Sequence, residues 1–301
     1  MKYWFLLSRL PFLSVVILPY ALGALLAQRS ARAFDWIIFL LGLAGSVLIQ
    51  LSAHYSGEIY DINEDRLSAF RGRSLFSGGS QVMVGRLIPE GRVKLLLYAV
   101  LAAAFAIGAF LQFYFKTGRW TLLLGVSGVA CGLFYSKPPL RWVSRGLGEF
   151  FIAYSFGFLA VNAGFYIQAG RFDWLAFFVS LPVSFAVINI ILVNEYPDYE
   201  ADRDTGKNNL LVRLGKRNTA FVYSLSVACA GISFLAALYE GLPFAGAVFY
   251  LPVFIAAAAL AYLMLKGAYE DRKVLERMCA GTILVNLGTS LSCILGLLYA
   301  R

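Results

Sequence analysis

The chain has 301 residues, of which 60% are hydrophobic and 14% are charged, against about 25% charged in an ordinary soluble domain. This composition excludes a soluble globular enzyme and a disordered chain, because a soluble fold cannot bury so much apolar surface. The formal net charge of +9 taken alone would suggest a nucleic-acid partner. Whether it does depends on where the basic residues lie along the chain.

Nine apolar stretches predict helices that cross a membrane. A membrane helix needs about 20 mostly apolar residues, and no stretch alternates with the period of two typical of a barrel strand. The expected fold class is therefore all-α, a polytopic membrane protein with nine transmembrane helices. The predicted spans are 10–28, 36–55, 93–115, 120–136, 147–168, 174–194, 218–238, 243–265 and 278–300.

The basic residues are distributed asymmetrically between the loops. With the N-terminus in the cytoplasm, 20 of the 26 Lys and Arg residues fall on the cytoplasmic side, as the positive-inside rule requires. The basicity therefore reflects topology, and no nucleic-acid partner is expected. The long loops, after spans two and six, lie on this same side, so we expect the chemistry at the cytoplasmic face.

The loop after span two carries the first of two acidic clusters. Its acids are Glu58, Asp61, Glu64 and Asp65. Three arginines follow them, Arg66, Arg71 and Arg73. Each arginine alone is explained as a topology charge, but next to acids the set predicts diphosphate ligands, because arginine binds phosphate oxygens as a bidentate fork.

The loop after span six carries the second cluster. Its acids are Glu195, Asp198, Glu200, Asp202 and Asp204, and Lys207 and Arg213 follow. Residues 58–66 and 195–203 share the pattern E-x-x-D-x-x-x-D-R. This repetition predicts a single domain, 1–301, made of two pseudo-repeated parts, roughly 1–140 and 141–301, whose clusters face each other.

The spacing of these acids has a geometric meaning. Positions i, i+3 and i+7 lie on one face of a continuous helix. Carboxylates crowded from two such faces cannot all ionise unless a cation lies between them, and Mg²⁺ binds carboxylates together with phosphate oxygens. A solvated acidic surface would explain one cluster, whereas two clusters of identical spacing favour a magnesium–diphosphate site.

Four stretches make the chain similar to the UbiA superfamily of intramembrane prenyltransferases. The most specific is 194–207 with the Val-Arg-Leu-Gly run at 212–215. The first motif, 57–65, matches the family's N-D-x-x-D-x-x-x-D signature at Asp61 and Asp65, but has Glu58 for the first Asp and Gly57 for the Asn. Residues 134–140, with 145–149, and the Ser77–Ser80 loop also resemble the family.

The resemblance implies a nine-helix bundle with a central lateral cavity and a prenyl transfer reaction. Mg²⁺ between the motifs would hold a polyprenyl diphosphate, and an aromatic acceptor would attack the allylic cation inside the bundle. Membrane lipid would surround the bundle. The expected catalytic residues are Asp61, Asp65, Asp198, Asp202 and Lys207. The expected metal ligands are Glu58, Asp61, Asp65, Asn194, Glu195, Asp198 and Asp202. The expected substrate-binding residues are Arg66, Arg71, Arg73, Tyr135, Lys137, Asn194 and Arg213.

The acceptor is the least determined part of this hypothesis. The second motif and the Ser77–Ser80 loop are most similar to the 1,4-dihydroxy-2-naphthoate branch, which implies quinone biosynthesis at a bacterial inner membrane. Hydroxybenzoate, haem, chlorophyll-type, homogentisate and lipid acceptors stay open. A cation-coupled transporter is an alternative of another class, but the acids cluster at one membrane face rather than at mid-depth.

Two further residues are singled out by position. His54, the only histidine, precedes Glu58 by one turn and is interpreted either as a packed residue or as a base for the acceptor. Pro197 lies inside the second motif and removes a backbone donor. We expect it to bend the helix so that Asp198 and Asp202 turn inward.

Overall fold

The computed structural model describes residues 2–29, 34–71, 74 and 76–299. Within these residues all regular elements are helical and no strand occurs. The α-helices are α1 (Lys2–Ser8), α2 (Ser14–Gln28), α3 (Trp36–Tyr60), α4 (Ile62–Phe70), α5 (Glu90–Ala109), α6 (Thr121–Ser136), α7 (Gly148–Ala153), α8 (Ala160–Ala169), α9 (Trp174–Glu195), α10 (Tyr199–Asp204), α11 (Leu210–Tyr239), α12 (Phe244–Leu265) and α13 (Arg272–Tyr299).

Eight helical segments of the described chain are long and apolar enough to cross a membrane. Three of them join two α-helices: α1 with α2, α7 with α8 through the π-helix Tyr154–Leu159, and α9 with α10 through a 3-10 turn. A fourth extends α5 by the π-helix Phe110–Tyr114. The fourth predicted span is α6, whose 16 residues extend only about 24 Å. The all-helical membrane fold is thus confirmed, with one of its nine predicted spans shorter than the rest.

Polar residues at the helix starts fix several boundaries. The Asp35 side chain accepts hydrogen bonds from the backbone N–H groups of Ile37 and Ile38, which begins α3. Asp173 caps α9 in the same way. Such caps satisfy backbone donors that have no partner inside the helix. They fix the first residues of α3 and α9, the two long helices that lead to the acidic motifs.

Small residues allow the helices to approach closely at the centre of the bundle. A Cβ on Gly23 of α2 would overlap the Val161 carbonyl of α8, and one on Gly164 would overlap the Tyr20 carbonyl of α2. α9 packs against α7, α8, α11 and α13. Close contact through small residues is a common way for membrane helices to associate.

The outer faces of the bundle remain apolar. Large exposed side chains include Trp36, Phe113, Trp174, Ile232, Ile255 and Leu284. A water-soluble protein rarely exposes so extended an apolar surface, whereas in a bilayer it contacts lipid. The protein is therefore an integral membrane protein.

Candidate active site

Both acidic motifs lie where a long helix is interrupted and a short helix follows. α3 ends at Tyr60, and Asp61 has a φ of −103° and a ψ of 18° at the junction with α4. α9 ends at Glu195, and the 3-10 turn Tyr196–Asp198 leads into α10. The motifs therefore do not lie on continuous helices, as the i, i+3, i+7 interpretation assumed. A 3-10 turn occurs at Pro197, where we expected a bend, and the first motif is interrupted without a proline.

One cavity of about 250 Å³ is lined by both motifs. The predicted site residues in its wall are Asp61, Asp65, Tyr135, Asn194, Glu195, Asp198, Asp202 and Lys207. Aromatic side chains complete the lining, among them Phe12, Phe76 and Phe156. Two distant parts of the sequence thus bring their carboxylates to one concave surface.

Glu58 is engaged elsewhere. Its Oε1 accepts hydrogen bonds from the Ser80 backbone N–H at 2.5 Å and from Arg9 Nη2 at 2.9 Å, and its Oε2 accepts from Ser80 Oγ at 2.7 Å. The side chain is 1% exposed and does not line the cavity. Glu58 therefore connects the Ser77–Ser80 loop to α3, a contact that its place in the motif did not indicate.

The same loop reaches across to the second motif. The Gly78 backbone N–H donates to Asp198 Oδ2 at 2.8 Å, and Ser68 Oγ of α4 donates to Asp198 Oδ1. Gly79 has a φ of +63° and packs directly against the Asp65 carboxylate. Ser77–Ser80 therefore ties the two motifs together at the mouth of the cavity.

Asp202 is held by the turn that follows α10. Asn209 Nδ2 donates to Asp202 Oδ2 at 2.8 Å, and Lys207 Nζ lies 3.2 Å from Asp202 Oδ1. Asn209 also caps α11 through its Oδ1. The start of α11 thus determines where the ammonium group of Lys207 enters the cavity.

Arg141 and Ser136 contact the first motif but were missed in the sequence. Ser136 Oγ donates to Asp61 Oδ2, and Arg141 Nη2 pairs with Glu64 and lies 3.7 Å from Asp61 Oδ1. Arg141 comes just after Pro138–Pro139, in the loop between the fourth and fifth predicted spans. A basic residue directly after these prolines was the available signal.

The site combines carboxylates in a poorly solvated environment with one buried cation. Burial, together with the nearby Glu58 and Asp61, raises the pKa of Asp65 to about 8. Burial also raises the pKa of Asp61, which the charge of Lys207 opposes. Burial alone would lower the pKa of Lys207, but Asp202 and Asp61 raise it well above its usual value. An additional cation near these acids would therefore relieve their mutual repulsion.

Four of the other predicted basic ligands, Arg66, Arg71, Lys137 and Arg213, are described and lie outside the cavity wall. Arg71 pairs with Asp204 at 2.5 Å, and Arg213 Nε donates to the Asn208 carbonyl at 2.8 Å. Arg66 is exposed and Lys137 is half-buried. Arg73 lies outside the described residues. A role for these five side chains in substrate binding stays a prediction.

The donor set suits a metal that keeps most of its own water. Among the described residues, no three His, Cys, Asp or Glu side chains form a ready-made metal-binding group. Mg²⁺ typically takes only one or two carboxylates and completes its shell with water and phosphate oxygens. Asp61 Oδ1 and Asn194 Oδ1 are buried oxygens without a hydrogen-bond partner, and both residues line the cavity, so the residues present fit such an ion.

A second, apolar cavity of about 110 Å³ adjoins the first. Gln50, Ala53, Ile152 and Phe156 line both. Six glycines, Gly42, Gly45, Gly108, Gly125, Gly128 and Gly132, widen the apolar one. The polar cavity therefore borders an apolar space between α2, α3, α5, α6 and α8.

The protein is a helical membrane bundle with paired acidic motifs at one end and an apolar space inside. This architecture suits an intramembrane enzyme whose substrate has a charged head group and a hydrophobic chain. The sequence profile of the UbiA prenyltransferase family matches residues 16–283. The chain belongs to that family and is a prenyltransferase.

Known proteins agree with this assignment. A 1,4-dihydroxy-2-naphthoate octaprenyltransferase from Bacillus subtilis is 26% identical over 228 residues, which are 75% of this chain and 70% of that protein. The apo structure of a UbiA homolog from Aeropyrum pernix has a TM-score of 0.72 at 19% identity, over 95% of this chain and 97% of the other. A UbiA homolog from Archaeoglobus fulgidus bound to GPP and Mg²⁺ has a TM-score of 0.67 at 18% identity, over 98% and 99%.

Proposed function

We propose that this protein transfers a polyprenyl group from a prenyl diphosphate to 1,4-dihydroxy-2-naphthoate in the presence of Mg²⁺. The observation that carries the proposal is a cavity that both acidic motifs and Lys207 line and that borders an apolar cavity. A diphosphate head fits the first cavity and an isoprenoid tail fits the second. The naphthoate acceptor is supported by the similarity to naphthoate octaprenyltransferases.

The metal would be held by the acids that face the cavity. We assign this role to Asp61, Asp65, Asp198 and Asp202, with Asn194 and Glu195 as further oxygen donors; these six line the cavity. Glu58, bonded to Ser80 and Arg9, is assigned instead to holding the loop. When bound, Mg²⁺ would neutralise charge on the leaving diphosphate.

Side chains of the protein also assist cleavage of the allylic C–O bond. Lys207 donates from its buried ammonium group to diphosphate oxygens as the allylic C–O bond breaks and its electron pair moves to the diphosphate. The rings of Phe12, Phe76, Tyr135 and Phe156 line the cavity, and aromatic faces stabilise a cation. The apolar lining keeps out water that would otherwise capture the allylic cation.

Orientation and domain organisation belong to the same proposal. The excess of Lys and Arg in the loops on the side of the motifs supports a cytoplasmic active site and a cytoplasmic N-terminus, which suits a bacterial inner membrane. The equivalent interruptions at α3–α4 and α9–α10 support a single domain made of two repeated parts.

The direct test is a transfer assay with the purified full chain in lipid vesicles. Labelled prenyl diphosphate, Mg²⁺ and a panel of acceptors (dihydroxynaphthoate, hydroxybenzoate, homogentisate, haem and a glycerol-phosphate lipid) are supplied. Prenylated naphthoate that disappears on addition of EDTA is the expected result. Product from another acceptor alone would replace the naphthoate assignment, and ion-dependent uptake without any product would favour transport.

The Ser77–Ser80 loop gives a second prediction. Gly79→Ala would place a Cβ onto the Asp65 carboxylate at a φ of +63°, so the loop must move away from both motifs. A displacement of that kind costs about 10²-fold in kcat/KM. The control is Gly267→Ala, which has a φ of +77° and open space around it. It carries the same backbone strain without the overlap, and its transfer kinetics should match the wild type; an equal defect in both variants would remove the loop from the mechanism.

A further inference from the structure

One face of α3 lines the cavity from its mouth to its apolar end. Gln50, His54, Gly57 and Asp61 all contribute to the wall, and at 100° per residue they fall within one narrow stripe. Seven residues separate His54 from Asp61, so the imidazole lies about 10 Å deeper in the bundle than the carboxylate. His54 therefore faces the cavity beyond the proposed diphosphate position.

The hydrogen bond of His54 determines which ring nitrogen is available. Nδ1 lies 2.9 Å from the Ser8 carbonyl oxygen. A carbonyl only accepts, so Nδ1 carries the hydrogen, and in the neutral ring the free lone pair is on Nε2. No hydrogen bond to Nε2 comes from the described parts of the chain. The protein thus fixes the imidazole as a proton acceptor in the cavity wall.

The surroundings of His54 suit a flat, partly polar ring. Gln50, one turn deeper, lines both cavities, and its Nε2 donates to the Phe12 carbonyl at 2.7 Å. Phe12 and Phe156 also line the polar cavity near this junction. An aromatic acceptor bound at this level would have a hydroxyl group within reach of the imidazole.

We infer that His54 Nε2 is the base that takes the hydroxyl proton of the aromatic acceptor; this inference rests on the proposed function. The proton moves from the acceptor oxygen to Nε2, and the ring carbon supplies the electron pair of the new bond to the allylic carbon. The allylic C–O bond breaks, and its electron pair leaves with the diphosphate. The ring carbon then loses its hydrogen as a proton to the departing diphosphate, or loses its carboxylate group as CO₂, and His54 returns its proton to the acceptor oxygen.

Glu195 is the competing base. It lines the cavity, and both of its carboxylate oxygens are buried without a hydrogen-bond partner. It lies one turn before Asp198, however, and so only about 5 Å deeper than that carboxylate, whereas His54 lies about 10 Å deeper than Asp61. His54 is favoured because its free lone pair lies about two turns inside the first motif, next to the residues that line both cavities.

The test compares His54→Asn with the wild type in the full chain in lipid vesicles, using hydroxynaphthoates of increasing hydroxyl acidity. The asparagine amide keeps a donor for the Ser8 carbonyl and removes the base. We expect kcat for the parent acceptor to fall roughly 10²–10⁴-fold, the range of general base catalysis. The loss should shrink as the acceptor becomes more acidic, and the Kd for prenyl diphosphate should not change.

Other outcomes separate the alternatives. A kcat near wild type, or a loss equal for all acceptors, overturns the inference and leaves His54 as the residue that joins α3 to α1. An acidity-dependent loss in Glu195→Gln but not in His54→Asn assigns the base to Glu195. If the asparagine variant does not fold, His54→Gln is measured on the same series and judged in the same way. Absence of naphthoate prenylation by the wild type would refute the proposed function instead.

Discussion

Asp61→Asn and Asp198→Asn will each lower kcat for prenyl transfer by roughly 10²–10³-fold, the effect of removing one group that stabilises transition-state charge. The two residues come from different motifs but line one cavity. Asparagine has nearly the same shape and keeps an oxygen for the Ser136 and Ser68 hydroxyl groups, so the fold should persist. Steady-state kinetics over a range of Mg²⁺ concentrations measures the effect.

Asp173→Asn is the matched control for both variants. Asp173 caps α9 at the opposite end from the second motif, and asparagine is an equally good cap. Transfer by this variant should equal that of the wild type. If Asp61→Asn or Asp198→Asn also turns over at the wild-type rate, that residue has no part in the metal site.

Lys207→Met will raise the KM for prenyl diphosphate roughly 10–100-fold, because a charge-assisted hydrogen bond contributes about 1.5–3 kcal/mol. The Lys207 ammonium nitrogen lies 3.2 Å from Asp202 Oδ1. Lys207 lines the cavity and is the positively charged side chain that the second motif contributes to its wall. The KM for the acceptor should change much less. Kinetics with each substrate varied in turn separates the two constants.

Lys216→Met is the control for this substitution. Lys216 also lies near the start of α11, but it pairs with the exposed Glu270 at 3.3 Å. The substitution removes the same formal charge from the end of the bundle that carries the motifs, and Lys216 does not line the cavity. Equal changes in the two variants would attribute the Lys207 effect to the general surface potential, and an unchanged donor KM in Lys207→Met would contradict its assignment.

The helices were predictable because the bilayer makes simple demands on a sequence. Apolar length alone located α9 within one residue of each observed end, 174–194 against Trp174–Glu195. The error was larger for α3, predicted as 36–55 but extending to Tyr60. Polar residues beyond the hydrocarbon continue that helix, and hydropathy does not register them.

The contacts inside the site were less predictable than its location. The repeated motif located the acids, but the structure places Glu58 against Ser80 and Arg9 rather than in the cavity wall. Asp61 and Asp65 line the cavity at and after an interruption of the helix that involves no proline. Arg141 reaches Glu64 and Asp61 from another loop, and such tertiary contacts have no local signature in the sequence.

The central claim is that both acidic motifs bind divalent metal together with the diphosphate. Its most direct test is a structure of the full chain with Mn²⁺ and a non-cleavable prenyl thiodiphosphate, in which anomalous scattering locates the metal. The account predicts metal in the cavity, in contact with carboxylates of both motifs and with diphosphate oxygens, and the prenyl chain in the adjoining apolar space. Diphosphate bound elsewhere, or a cavity without metal at saturating Mn²⁺, would contradict it.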